Sequence, residues 1–153
     1  TVFFRGYMEI LICEDNETIS YFYKQILGPE KITMCNTGLE AIEKSRNHQF
    51  NLLILDIGLP DMLGWNVGKT ILDNQKSLHV LVISALEDFS VYETAQIEHH
   101  PNCQKFEIFK KGADSIQKIK SIKNNIINVL TDNEKVALSL LQERKKSVSS
   151  PAD

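Results

Sequence analysis

The stretch "NLLILDIGLPDMLGW", residues 51–65, decides how this chain folds. Leu52–Leu55 is apolar without interruption, which predicts a strand that is buried on both faces. Asp56 follows directly, and burial of its carboxylate is strongly unfavourable unless a cation or hydrogen bonds compensate the charge. Gly58 and Gly64 then indicate a loop that leads into a helix. The rest of the chain must therefore supply a partner for Asp56.

The composition is that of a single globular domain. The chain has 153 residues, of which 42% are hydrophobic and 24% are charged. Its formal net charge of −3 does not suggest a partner such as nucleic acid or an anionic membrane. No apolar run approaches the roughly 18 residues that a membrane span needs. The three cysteines, Cys13, Cys35 and Cys103, have unrelated spacings. They indicate buried thiols in a reducing cytoplasm and not a disulfide framework or a zinc site.

Three segments are expected along the chain. Residues 1–7 are expected to be a tag remnant or a disordered leader, because Met8 makes a plausible natural start. Residues 8–130 form the main domain. Residues 131–153 are expected to add a C-terminal helix and a disordered tail, with the start of a truncated output domain as the alternative.

Strands and helices are predicted to alternate throughout the main domain. The predicted strands are Glu9–Cys13, Lys31–Cys35, Leu52–Leu55, Val80–Ser84 and Phe106–Phe109. Helices are predicted to start near residue 17, to cover 37–47, 64–74 and about 89–99, and to end the domain at 114–130. Because the strands are apolar throughout and do not alternate with polar residues, they predict a parallel sheet with helices on both faces. The expected fold is an α/β doubly wound three-layer sandwich.

Polar side chains follow the carboxyl ends of four predicted strands, where ligands gather in folds of this kind. They are Glu14, Asp15, Asp56, Ser84, Lys110 and Lys111. Clustered carboxylates repel one another, and Mg²⁺, which prefers oxygen ligands, is the obvious cation to neutralise them. A lysine and a serine suit an incoming anion. The set matches what phosphoryl transfer to a carboxylate needs, with Asp56 as the in-line nucleophile.

These residues resemble the receiver domain of two-component response regulators. The matching pieces are "ED" at 14–15, "LDIGLPDMLG" at 55–64, "SA" at 84–85 and a lysine after the fifth strand, and the resemblance covers about residues 8–130. It implies a five-stranded flavodoxin-like sheet in the order 2-1-3-4-5. It also implies Mg²⁺ as the cofactor.

The resemblance assigns a role to each residue of the set. Asp56 is implied to be the phosphoacceptor, and Ser84 and Lys111 to contact the phosphoryl group. The implied Mg²⁺ ligands are Glu14, Asp15, Asp56 and the backbone carbonyl of Gly58. Lys111 is preferred to Lys110 because family members commonly have a hydrophobic residue three places before the lysine. Ile108 satisfies that pattern for Lys111, whereas Lys110 would have Glu107 there.

The implied function is a signalling switch that catalyses only its own phosphorylation and dephosphorylation. The donor would be the phosphohistidine of a sensor histidine kinase or of a phosphotransfer protein. Phosphorylation would change binding of an output partner, or of a second copy of the chain, at the face formed by helix 4, strand 5 and helix 5. One alternative is the receiver part of a truncated DNA-binding transcriptional regulator. The other is a phosphatase of the haloacid-dehalogenase type, which would require a second acid where Gly58 stands.

The chain also departs from the family pattern. Glu14 stands where aspartate is more common, and Gly112 follows Lys111 where proline is usual. The spacing from Ser84 to Lys111 is longer than expected, and the surplus is predicted to lie in a loop, "IEHHPNCQK" at 97–105. Cys103 is accordingly interpreted as a residue of a polar loop.

Overall fold

The chain folds around a parallel sheet of five strands in the order β2-β1-β3-β4-β5. The computed structural model describes residues 8–28, 30–85, 90–111, 117, 119–125, 139–140 and 142–143. The predicted α/β fold class and the strand order implied by the resemblance are both confirmed.

Strands and helices alternate as predicted. The strands are β1 (Glu9–Cys13), β2 (Lys31–Cys35), β3 (Leu52–Leu55), β4 (Leu78–Ser84) and β5 (Cys103–Lys110). The helices are α1 (Glu17–Leu27), α2 (Gly38–Asn47), α3 (Gly64–Asn74) and α4 (Val91–Glu98). Residues 117 and 119–125 are also helical and lie inside the last predicted helix of the main domain.

The sheet separates two apolar cores. Successive side chains of a strand point to opposite faces, so Leu53 packs with α2, α3 and α4, whereas Ile54 packs with α1 and residues 119–125. Both faces are therefore covered by helices, and all four residues of β3 and all seven of β4 are buried. This double burial explains why these strands are apolar along their whole length.

The predicted loop at 97–105 is wrong. Ile97 and Glu98 still belong to α4, and β5 begins at Cys103, so only residues 99–102 connect the two elements. Cys103 pairs with Leu78, and Lys105 pairs with His79 after a register irregularity. Because β5 lies at the edge of the sheet, its backbone pairs with β4 while side chains such as that of Lys105 remain exposed. Because the exposed residues at the start of β5 are polar, the sequence pattern did not predict that part of the strand.

Two predicted segments fall mostly outside the described residues. The leader at 1–7 lies entirely outside them, and of residues 126–153 only 139–140 and 142–143 are described, all of them helical. Among the described residues, the helices are all too short or too polar to cross a membrane.

Candidate functional site

The three acidic side chains converge at the carboxyl edge of the sheet because the strand ladder continues past the ends of β1 and β3. Glu14 N donates to the carbonyl of Cys35 over 3.0 Å, and Asp56 N donates to the carbonyl of Cys13 over 3.0 Å. One carboxylate oxygen from each of Glu14, Asp15 and Asp56 lies within 4.8 Å of the other two. Glu14 and Asp56 are buried, while Asp15 is exposed. The structure thus brings together all three acids that the sequence placed at this edge.

Lys111 lies between the two buried carboxylates. Its Nζ is 2.9 Å from Glu14 Oε1 and 3.1 Å from Asp56 Oδ2. Its backbone amide donates to the carbonyl of Ser84 over 2.9 Å, so pairing between β4 and β5 sets its position. Lys110, the other lysine considered, is exposed and stands opposite Ser84 in the ladder.

Burial and mutual repulsion govern the charges of this site. Burial raises the pKa of Glu14 to about 7, and the charge of Asp56 adds to the rise, while contact with Lys111 partly offsets it. Burial alone would lower the pKa of Lys111, but the carboxylates of Glu14 and Asp56 outweigh it and raise that pKa above its ordinary value. The lysine therefore stays charged. Two buried acids share this one cation.

The donor set fits a hard divalent cation. Glu14 Oε1 is buried and lies 2.9 Å from Lys111 Nζ, a cation that Glu14 shares with Asp56. A single ammonium group cannot neutralise three clustered carboxylates, whereas a divalent cation in addition to it would. Three clustered carboxylates are oxygen ligands of the kind that Mg²⁺ prefers. Glu14, Asp15 and Asp56 could therefore hold Mg²⁺.

Gly58 lies directly against the carboxylate of Asp56. Its backbone amide donates to Asp56 Oδ1 over 3.1 Å, and a Cβ added at Gly58 would stand 3.8 Å from the same oxygen. Ser84 is buried at the carboxyl end of β4, beside the backbone of Lys111. Every residue that the sequence placed at this edge therefore lies at it.

Sequence reasoning missed Asp61. Its carboxylate accepts hydrogen bonds from the backbone amides of Gly38 and Leu39, over 2.8 Å and 3.0 Å. An aspartate after a proline in a loop is an ordinary turn signal. Its partners stand more than twenty residues earlier in the chain, so the local pattern gives no sign of them.

Three comparisons relate this fold and site to known proteins. A family model of the response regulator receiver domain matches residues 10–103. The polar-differentiation response regulator DivK of Brucella anthropi is 35% identical over 78 residues, which are 49% of this chain and 63% of that relative. The match thus spans less than two thirds of the relative's length.

Solved receiver domains share the fold. One from Methanospirillum hungatei, described as CheY-like, has a TM-score of 0.62 at 22% identity, covering 79% of this chain and 97% of that one. The receiver domain of a sensor histidine kinase from Pseudomonas aeruginosa, solved with a magnesium ion coordinated in its active-site cleft, has a TM-score of 0.60 at 17% identity. That likeness covers 80% of this chain and 99% of the other. With the family match extending over more than half of the sequence, this chain belongs to the response regulator receiver domain family of two-component signalling.

Proposed function

We propose that this domain accepts a phosphoryl group on Asp56 from the phosphohistidine of a sensor histidine kinase or phosphotransfer protein, in a reaction that requires Mg²⁺. The observation that carries the proposal is the contact of Asp56 with Lys111 Nζ inside a cluster of three carboxylates. A nucleophile, a fixed cation and a set of metal ligands are what transfer to a carboxylate requires.

In the proposed reaction a carboxylate oxygen of Asp56 attacks phosphorus. The new O–P bond forms as the P–N bond to the donor histidine breaks, and the electron pair of that bond stays on the imidazole nitrogen, which takes up a proton from solvent. Lys111 balances charge on the phosphoryl oxygens, and the hydroxyl of Ser84 donates a hydrogen bond to one of them. Glu14, Asp15, Asp56 and the backbone carbonyl of Gly58 would hold Mg²⁺, which when bound neutralises further phosphoryl charge.

We infer a switching role and not turnover of an external substrate. The family match supports a signalling domain, and the domain is proposed to catalyse only its own phosphorylation and dephosphorylation. The output surface is proposed to be the face of α4, β5 and the last helix, where Val91 and Tyr92 are 83% and 70% exposed. A second copy of the chain is the alternative occupant of that face.

The family match favours neither of the two alternative functions, the receiver part of a truncated DNA-binding regulator and a phosphatase of the haloacid-dehalogenase type. A phosphatase of the haloacid-dehalogenase type would need an acid at position 58, where this chain has Gly58 beside Asp56. A cytoplasmic setting is supported by Cys13, Cys35 and Cys103, all of which are free thiols, as is usual in a reducing compartment.

Intact-mass measurement after incubation with acetyl phosphate and Mg²⁺ tests the proposal. Wild type should gain about 80 Da, the mass of one phosphoryl group, and chelation of Mg²⁺ should abolish the gain. Asp56→Asn should gain nothing. Asp73→Asn, which changes an exposed acid of α3, is the matched control and should behave as wild type. A gain in Asp56→Asn, or none in wild type, would overturn the proposal.

A further inference from the structure

The amino end of α2 is capped from two different places. Gly38 N donates to Asp61 Oδ1 over 2.8 Å, and Leu39 N donates to Asp61 Oδ2 over 3.0 Å. The amides of residues 40 and 41 donate to the hydroxyl and the carbonyl of Thr37. The first four amides of a helix have no partner within the helix. The bond from residue 41 to the carbonyl of Thr37 is the first bond of the helix itself, so the amides of residues 38, 39 and 40 need other acceptors. All three are bonded, and Asp61 supplies two of the three acceptors from a loop that is distant in sequence.

The loop at 57–63 that carries Asp61 begins immediately after Asp56 and is closed on itself. Gly64 N donates to the carbonyl of Ile57 over 3.1 Å, and Gly58 forms an isolated antiparallel bridge with Leu63. One end of this closed loop touches the nucleophile, because Gly58 N donates to Asp56 Oδ1. Asp61, the fifth of the seven loop residues, bonds the loop to α2.

Close packing and the charge of Asp61 both strengthen the contact between the 57–63 loop and α2. A Cβ added at Gly38 would stand 2.5 Å from Val67 Cγ2 and 3.4 Å from Met62 Cβ, so the α2 backbone lies directly against the loop and α3. The amides of Gly38 and Leu39 lower the pKa of Asp61, which therefore accepts both bonds as a carboxylate. Hydrogen bonds to a charged acceptor are stronger than those between neutral groups.

We propose that Asp61 is a positioning residue for the Asp56 site. By accepting two amides of α2 it holds the 57–63 loop, and with it Gly58, against the carboxylate of Asp56. The inference rests on the proposed function, because it assigns Asp61 to metal binding and phosphoryl transfer at that site. The simpler role is a helix cap that stabilises α2 and does nothing for the site. Thr37 caps the same helix but lies outside the 57–63 loop, so a comparison of Asp61 and Thr37 variants distinguishes the two roles.

Two measurements on Asp61→Ala and Thr37→Ala test the inference. In metal-free protein, amide hydrogen exchange of residues 57–63 should quicken about tenfold in Asp61→Ala and stay unchanged in Thr37→Ala. The dissociation constant for Mg²⁺ should rise about tenfold in Asp61→Ala and stay as in wild type for Thr37→Ala. Fluorescence of Trp65, the only tryptophan in the chain, follows binding because Trp65 directly follows the loop and Gly64. Isothermal titration calorimetry gives the same Mg²⁺ dissociation constant independently.

Two further variants keep the test decisive. Asp61→Glu retains a carboxylate and should restore most of the Mg²⁺ affinity. Asp61→Asn retains one acceptor oxygen and should fall between wild type and Asp61→Ala, and it replaces Asp61→Ala if that variant does not fold. Equal exchange and equal Mg²⁺ affinity in the Asp61 and Thr37 variants would overturn the inference. Failure of wild type itself to bind Mg²⁺ or to gain a phosphoryl group would instead overturn the proposed function.

Discussion

Residues 8–64 and residues 78–111 build the same site by different means. The first region supplies three carboxylates at the ends of β1 and β3, strands that are buried except for the first residue of β1. It also fixes the loop after β3 through Asp61. The second region supplies Lys111 at the end of β5, an edge strand whose side chains are half-buried or exposed. Backbone pairing fixes Glu14, Asp56 and Lys111 alike, but the acids follow strands in the buried interior of the sheet, whereas Lys111 follows a partly exposed edge strand. A substitution therefore has different consequences in the two regions.

The largest effect is expected at Gly64, in the first region. A Cβ there would overlap Ile57 Cα and lie 2.8 Å from the carbonyl oxygen of Asp56. Since backbone atoms cannot move aside cheaply, Gly64→Ala should lower the free energy of unfolding by about 3 kcal/mol. Gly58→Ala is the matched control, because its Cβ meets Asp56 Oδ1 at an ordinary 3.8 Å. Urea unfolding measures both, and equal losses would contradict this account of the loop.

Lys111 tests the contribution of the second region to the chemistry. Lys111→Ala removes the cation that contacts Glu14 and Asp56, and should slow phosphorylation by acetyl phosphate about a hundredfold. Lys110→Ala removes an equal charge from the adjacent exposed position and should leave the rate unchanged. The time course of the mass increase gives both rates. A larger loss of rate in the Lys110 variant would contradict the assignment of Lys111 as the lysine that assists phosphorylation.

The turn between α4 and β5 should matter for stability alone. Asn102 Nδ2 donates to the carbonyl of Leu72 over 2.9 Å, and His100 Nε2 lies 2.7 Å from Asp73 Oδ1, which together anchor the turn on α3. Asn102→Ala should lower the free energy of unfolding by about 1 kcal/mol without slowing phosphorylation. A slower reaction would show that the turn also positions Lys111.

The smallest effect is a pH dependence of stability from His79 of β4. Burial lowers the pKa of His79 below its ordinary 6.5, although a hydrogen bond from the ring to Glu107 opposes the shift, and the charge of Lys105 adds to it. The unfolded chain therefore takes up a proton that the folded state resists. His79 should therefore contribute a fall in the free energy of unfolding as the pH drops below 6.5, and this fall should level off below its folded pKa. Glu14, whose pKa is raised to about 7, contributes with the opposite sign, so the effect of His79 is measured as a difference between wild type and a His79 variant.

His79→Gln removes this titration, so on acidification the free energy of unfolding of the variant should fall less, or rise more, than that of wild type. Urea unfolding between about pH 7.5 and about pH 5 measures the slope for both proteins. Identical slopes in wild type and the variant would contradict the depressed pKa of His79.

Sequence alone predicted the features that depend on local pattern. The bounds of β1, β2 and β3 are as predicted, because a strand in a parallel sheet must be apolar where it is covered. The acids follow from those strands, since carboxyl ends of parallel strands share one edge. The family pattern at Ile108 favoured Lys111 over Lys110, and Lys111 is the lysine that contacts both buried carboxylates.

What the sequence did not predict depends on long-range backbone contacts. Residues 103–105 pair with β4 through the main chain, which carries no signal in residue type. Asp61 bonds to the backbone of α2 across more than twenty residues, again without any periodicity that a reader of the sequence could detect. Polar contacts of this kind become visible only once the elements are placed.

The two apolar cores have a consequence for how this domain can diverge. Leu53 and Ile54 are adjacent in the chain but pack on opposite sides of the sheet. Side chains of the two layers that share no neighbours and lie more than about 7 Å apart change stability nearly additively. Substitutions of the core residues of α1 therefore need no compensating change in α2 or α3. The helices on the two faces can evolve independently while the strands between them stay unchanged.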